Sequence, residues 1–152
     1  MRETLVEAYE ELKRADHLLF VSLKYARTVD VIRNTIDRLI DAQELMLSAL
    51  LELAIERGQL ESTPGSPLEK AQKIRALYPD DPKVRALVEL HLLLRQISKA
   101  EFERFREYRR HVAMSVKLKS GRRLDVTIDL LHDYFSRTKE FFGYTKELLG
   151  KD

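Results

Sequence analysis

Residues 104–114, RFREYRRHVAM, place four arginines, one histidine and two aromatic residues within a single short stretch. Histidine is the side chain whose ordinary titration range suits proton transfer near neutral pH, and arginine can neutralise charge gathering on a phosphoryl oxygen. A carboxylate beside the imidazole raises its affinity for a proton. His111 follows Glu107 by four positions and Arg104 by seven, so on a helix the three side chains stack along one face. That stripe suits phosphodiester chemistry without a metal: His111 moves the proton at a ribose 2′-hydroxyl or leaving oxygen, and arginine faces the phosphate. The same residues also suit a solvated helix end, since cations favour a helix C-terminus and Glu107 can pair with neighbouring arginines.

The spacing around this stretch predicts a helix running from Pro82 into it, with Phe102, Phe105, Tyr108 and Val112 on an apolar arc that anchors it. Arg106 and His111 then lie roughly 140° apart on a regular helix. Their convergence requires either a distorted helix or a two-fold axis bringing two copies together. Arg104 has no such difficulty and is a rival for the phosphate-facing role.

The elements that must hold this segment are mostly helical. Leu5, Tyr9, Leu12, Leu19, Phe20 and Leu23 recur at three and four positions, predicting a first helix that ends near Lys24, with Asp16 on its apolar side. Thr28 is a cap for a long second helix carrying Ile32, Ile36, Leu39, Leu47 and Leu50, stopped at Gly58. GQLESTPGSP, residues 58–67, reads as a loop, and Ser66, Pro67 and Glu69 start a short helix through Leu77. Asp81 and Pro82 repeat the start signal for a third long helix with Val84, Leu87, Leu90, Leu94 and Ile97 inward. VKLKSGRRLDVTI alternates around Ser-Gly, predicting a β-hairpin near residues 115–127, and residues 128–149 return to helical spacing. The expected fold is therefore all-α: one domain over residues 1–152, an antiparallel four-to-five-helix bundle with a small β-hairpin insertion.

Composition narrows the chemistry. The chain has no cysteine, which excludes thiolate metal sites, disulfides and cysteine nucleophiles. Its glycines are scattered and build no phosphate loop, and His17, His91, His111 and His132 lack metal-ligand spacing. His91 reads as a packed or edge histidine. No cofactor or metal is expected. The N-terminus carries charges and no long apolar run, so the expectation is a cytoplasmic chain with no membrane partner. Net charge is +2, with the basic excess local to residues 104–123. A preference for Arg over Lys suits a thermophile.

Arg106-Glu-Tyr-Arg-Arg-His111 has four residues between arginine and histidine, and Arg104 to His111 has six. This pattern, late in a helical chain, resembles the HEPN superfamily of helical domains, many of which are metal-independent endoribonucleases. The likeness covers roughly residues 15–149. It departs where Glu107 follows Arg106, a position where the family usually has Asn or Asp, and where Ala113 stands two positions after the histidine. The resemblance implies a homodimer whose two motifs line one cleft, RNA as ligand, and a protein partner such as a nucleotidyltransferase-like protein. It implies His111 as acid/base, Arg106 or Arg104 as phosphate stabiliser with Glu107 beside them, and Arg109, Arg110, Arg122 and Arg123 as contacts to the RNA backbone. The alternative is a non-catalytic dimeric interaction module whose arginines meet acidic groups. A third reading, a small-ligand or nucleotide sensor, has Asp16 and Tyr25 as candidates.

Overall fold

A computed structural model describes residues 1–150 of the chain, which is mainly helical with one small antiparallel sheet. Helix α1 (Arg2–His17) runs through a π-helical turn, Leu18–Ser22, into a last turn, α2 (Leu23–Tyr25). Three helices follow: α3 (Val29–Glu56), α4 (Pro67–Leu77) and α5 (Pro82–Lys99). Strands β1 (Phe102–Phe105), β2 (Ala113–Lys117) and β3 (Arg123–Thr127) precede the closing helix α6 (Ile128–Gly150).

The start signals act as local chemistry requires. Thr28 accepts the Val31 N–H, Ser66 the Glu69 N–H, and Asp81 the N–H groups of Lys83 and Val84, so each side chain satisfies orphan donors of a first turn. The Tyr144 hydroxyl, on α6, donates to the second oxygen of Asp81, which ties two helices together and pushes the phenol up to about 12. Gly58 ends α3 with φ +74°, a left-handed conformation that glycine adopts freely.

Helix α3 is the axis of the core. Ile32, Ile36, Leu39, Leu47, Leu50 and Leu51 are buried on it, and the inward face of α5 buries Val84, Leu87, Leu90, Leu94 and Ile97 at the expected spacing. Burial of such apolar area is the main force holding the helices together. Helix α1 contributes Ala8, Leu12 and Ala15 and the π-helical turn Leu19, while Tyr9 and Phe20 stay half exposed at the rim and Asp16 faces solvent instead of the apolar side.

Two expectations are corrected. Helix α5 stops at Lys99: the Ala100 N–H closes its last turn on the carbonyls of Gln96 and Ile97, and the chain turns extended. Residues 102–105 are a strand, not a helix, and the expected hairpin is two-thirds of a three-stranded sheet in the order β1-β2-β3. β2 pairs with β3 from Ala113↔Thr127 to Lys117↔Arg123, and with β1 from Phe102↔Val116 to Phe105↔Ala113. The reason lies in β2. Its residues Ala113, Met114, Ser115 and Val116 are all buried, so unpaired peptide groups on its second edge would be costly. Pairing with FERF satisfies them, and the helix preference of Glu and Arg, a few tenths of a kcal/mol per residue, is too small to compete.

A polar network crosses the helical core. Gln43 donates to the Thr138 hydroxyl at 3.0 Å, which donates to the Tyr134 carbonyl at 2.7 Å, and the Gln43 amide oxygen faces His91 Nδ1 at 3.1 Å. His91 is fully buried, the packed histidine expected from its position. Its Nε2 lies 3.3 Å from Glu44 Oε2, in contact but off the line of a good hydrogen bond, and Lys70 Nζ lies 2.7 Å from Glu44 Oε1. Side chains from α3, α4, α5 and α6 thus meet in one constellation, a source of fixed register between helices. The His91 ring, aided by Lys70, holds the Glu44 carboxyl at about 2, against burial that pulls the other way.

Because the folded carboxyl titrates below its ordinary value, its stabilisation is complete above the unfolded range and disappears as pH falls through the folded value. Wild type is expected to exceed Glu44→Gln in stability by about 2 kcal/mol above pH ~4.5, with the gap closing towards pH ~2. Denaturant melts of both proteins across that range check it; a constant gap contradicts the linkage.

Candidate functional site

The segment after β1 is fastened to the first turn of α3. The Glu107 carboxylate accepts the Val29 N–H at 3.0 Å, and the Tyr108 N–H donates to the Arg27 carbonyl at 2.7 Å. A helix N-terminus favours an anion, and here the chain's own glutamate supplies it. Arg104 completes the clamp, with Nη2 3.0 Å from Asp30 and Nη1 3.6 Å from Glu107, and the hydrogen bond to Asp30 is the largest influence raising its pKa. Phe102 lies under two guanidinium groups, those of Arg33 at 4.5 Å and Arg104 at 5.3 Å from its ring centre. The inner face of β1 is thereby seated on α3.

Arg106 and Tyr108 have φ of 53° and 67°, left-handed conformations that side-chain-bearing residues adopt only where the surroundings over-determine them. The two anchors, at Val29 on the first turn of α3 and at Arg27 just before it, supply that determination. Hydrogen bonds from Arg109 N–H to the Arg106 carbonyl and from Val112 N–H to the Arg109 carbonyl carry the chain back, and the buried Val112 plants it in the core.

This geometry dissolves the expected stripe of Arg104, Glu107 and His111. Arg104 shares the inner side of β1 with Phe102, and Glu107 is committed to Val29 and Arg104. Arg106 and His111 instead line one open depression of about 730 Å³ on the outer face of the sheet, along with Glu103, Phe105, Ser115 and Asp125. The irregular turn brings them to one depression within a single chain, so their convergence requires no two-fold axis. Phe105 and Tyr108 are not buried anchors either; they are 46% and 78% exposed.

His111 also borders a neighbouring depression of about 290 Å³ lined by Arg27, Arg110, Thr127 and Asp129. It stands between cationic groups on both sides. Arg109 and Arg122 are exposed and line neither depression, while Arg123 reaches across the sheet, 3.3 Å from Ser115 Oγ and 3.5 Å from Glu103 Oε1. Sequence spacing missed Arg27, Asp30, Phe105 and the sheet residues as site components, because they belong through pairing and capping. The one readable signal was the run VAMSV, apolar but for Ser115, whose lack of polar alternation fits a central strand with two neighbours.

Among the described residues, no three His, Asp or Glu side chains gather as a metal-binding group, and no helix is long and apolar enough to cross a membrane. No family model, no curated protein and no solved structure matches the chain.

Replacing Glu107 by Ala removes the cap on Val29 and a partner of Arg104. The expected cost is about 1 kcal/mol, with faster amide exchange at Tyr108 and Val112 than in the helical core. Denaturant melts and residue-resolved hydrogen exchange measure both; unchanged exchange in residues 106–112 contradicts the clamp.

Proposed function

We propose that this chain is a HEPN-like RNA-binding protein and a metal-independent endoribonuclease. The observation that carries the reading is that Arg106, held in a left-handed conformation, and His111 line one solvent-open depression while Glu107 fastens the loop from behind. Strained residues held in place by their surroundings suit a site that needs fixed geometry.

In the proposed reaction His111 accepts the proton of a ribose 2′-hydroxyl as that oxygen attacks the adjacent phosphorus. The bond from phosphorus to the 5′-oxygen breaks, and the leaving oxygen takes a proton from solvent or from the histidine of a second copy. Arg106 neutralises charge on the phosphoryl oxygens, and the products are a 2′,3′-cyclic phosphate and a 5′-hydroxyl. Arg110 and Arg27, beside His111, extend the positive surface for flanking phosphates. A homodimer joining two such motifs in one cleft belongs to this reading.

A second reading is favoured by the exposed aromatic residues Tyr25 and Tyr108, 80% and 78% accessible, on the segments joined by the bond from Tyr108 to Arg27. Exposed aromatics on one edge fit docking of a protein partner, a second copy or a nucleotidyltransferase-like protein, without catalysis.

Cleavage of single-stranded RNA in EDTA separates the two. Wild type is expected to cleave and His111→Ala to lose at least a hundredfold in rate; equal rates, or no cleavage by wild type, overturn the catalytic reading. Arg106→Gly adds an orthogonal measurement: it relieves the left-handed strain, so its stability should equal or exceed wild type by up to about 1 kcal/mol while cleavage falls.

A further inference from the structure

The outer face of the sheet has a shape as well as a charge. Its register aligns Phe105, Ala113 and Thr127 in one row and Glu103, Ser115 and Asp125 in the next. Ala113 and Ser115 are small and buried, so the central strand makes a floor between side chains standing on β1 and β3. Neighbouring strands are about 4.8 Å apart and same-face rows about 6.8 Å apart, which leaves a trough roughly 9.6 Å between its bounding strands, open over the Ala113 row and crossed by Arg123 over the Ser115 row. Arg106 and His111 stand at one end. Arg123 closes the other, its guanidinium reaching over Ser115 to Glu103.

The polar groups inside are unequally occupied. Arg123 neutralises Glu103, whereas the Asp125 carboxylate has no hydrogen-bond or ion-pair partner among the described residues. Phe105 offers a half-exposed ring at the same site. A planar base can stack on such a ring, and single-stranded RNA is read by stacking together with hydrogen bonds to the Watson–Crick edge.

We infer that the trough takes one guanine base of single-stranded RNA, stacked on Phe105 with its Watson–Crick edge on the Asp125 carboxylate. This rests on the RNA reading above and adds its base specificity. The chemistry selects guanine because a carboxylate only accepts, and guanine alone presents two adjacent in-plane donors, N1–H and the N2 amino group. Adenine and cytosine each place a ring-nitrogen lone pair next to their amino group. Uracil flanks its single N–H with two carbonyl oxygens. Each of these three directs a lone pair at the carboxylate, which leaves part of the edge repelled. With the base on the floor, the sugar and phosphate lie towards the Arg106 and His111 end, so the trough selects the nucleotide beside the cleaved bond.

The test is fluorescence anisotropy with short 2′-fluoro oligouridylates, which lack the attacking hydroxyl, carrying one central guanosine, inosine, adenosine or no substitution. Wild type is expected to bind the guanosine oligomer about tenfold more tightly than the adenosine or all-uridine ones. Inosine, which lacks the N2 amino group, loses most of that preference. Asp125→Asn removes the guanosine preference while the all-uridine oligomer binds at least as tightly as it does to wild type, and its melting temperature confirms that it folds. Phe105→Leu weakens every oligomer. Equal affinity of wild type for all four overturns the guanine assignment and leaves RNA binding standing; a guanosine preference that survives Asp125→Asn overturns the Asp125 contact that the assignment is built on. Absence of binding to any oligomer at low salt overturns both.

Discussion

The arrangement of the functional face depends on the carboxylate of Glu107 at the N-terminus of α3. A helix start exposes unpaired N–H groups and a partial positive charge, and an acidic side chain from a distant segment both satisfies a donor and complements the dipole. Because the loop is tied there by the Glu107 side chain and again by the Tyr108 N–H, residues 106 and 108 are drawn into left-handed conformations. The loop and the placement of Arg106 follow from that fastening, while strand β1 is set by its pairing with β2. The same contact also fills the helix terminus that an exogenous phosphate would otherwise favour.

Two polar systems thus divide the molecule. One lies inside, where Gln43, His91, Thr138, Glu44 and Lys70 connect four helices around the core. Breaking one partner of such a buried set leaves the others unsatisfied, so it acts on register and stability rather than on chemistry. The other lies at the surface, where Arg104, Asp30 and Glu107 hold a loop that leaves Arg106, Arg110 and His111 facing solvent. The two histidines illustrate the division: His91 is enclosed by α3 and α5, while His111 stands between two open depressions.

Much of the helical frame was legible in the sequence. Thr28, Ser66 and Asp81 cap the helices their types and positions announce, and the apolar residues of α5 recur on one face as the 3.6-residue period requires. The site was legible as a segment and not as a geometry. Phe105 and Tyr108 fit a helical arc by spacing, yet FERF pairs with β2, and the turn after it follows neither a helical nor a strand period. Periodicity carries no information on a strand that exists because another strand needs a second neighbour.

Local chemistry by itself determined the helix starts, the stop at Gly58, the β2–β3 hairpin and the concentration of basic residues around His111. Each depends on interactions within a few residues, so the residue types suffice to specify it. Only tertiary structure decided which arginine accompanies His111. Arg104 and Arg106 are two positions apart on one chain, but pairing with β2 and the capping of α3 send the first to Asp30 and Glu107 and the second to the outer depression. Those partners lie more than seventy positions away in the case of Asp30, and spacing along a single segment cannot encode a contact that folding alone creates.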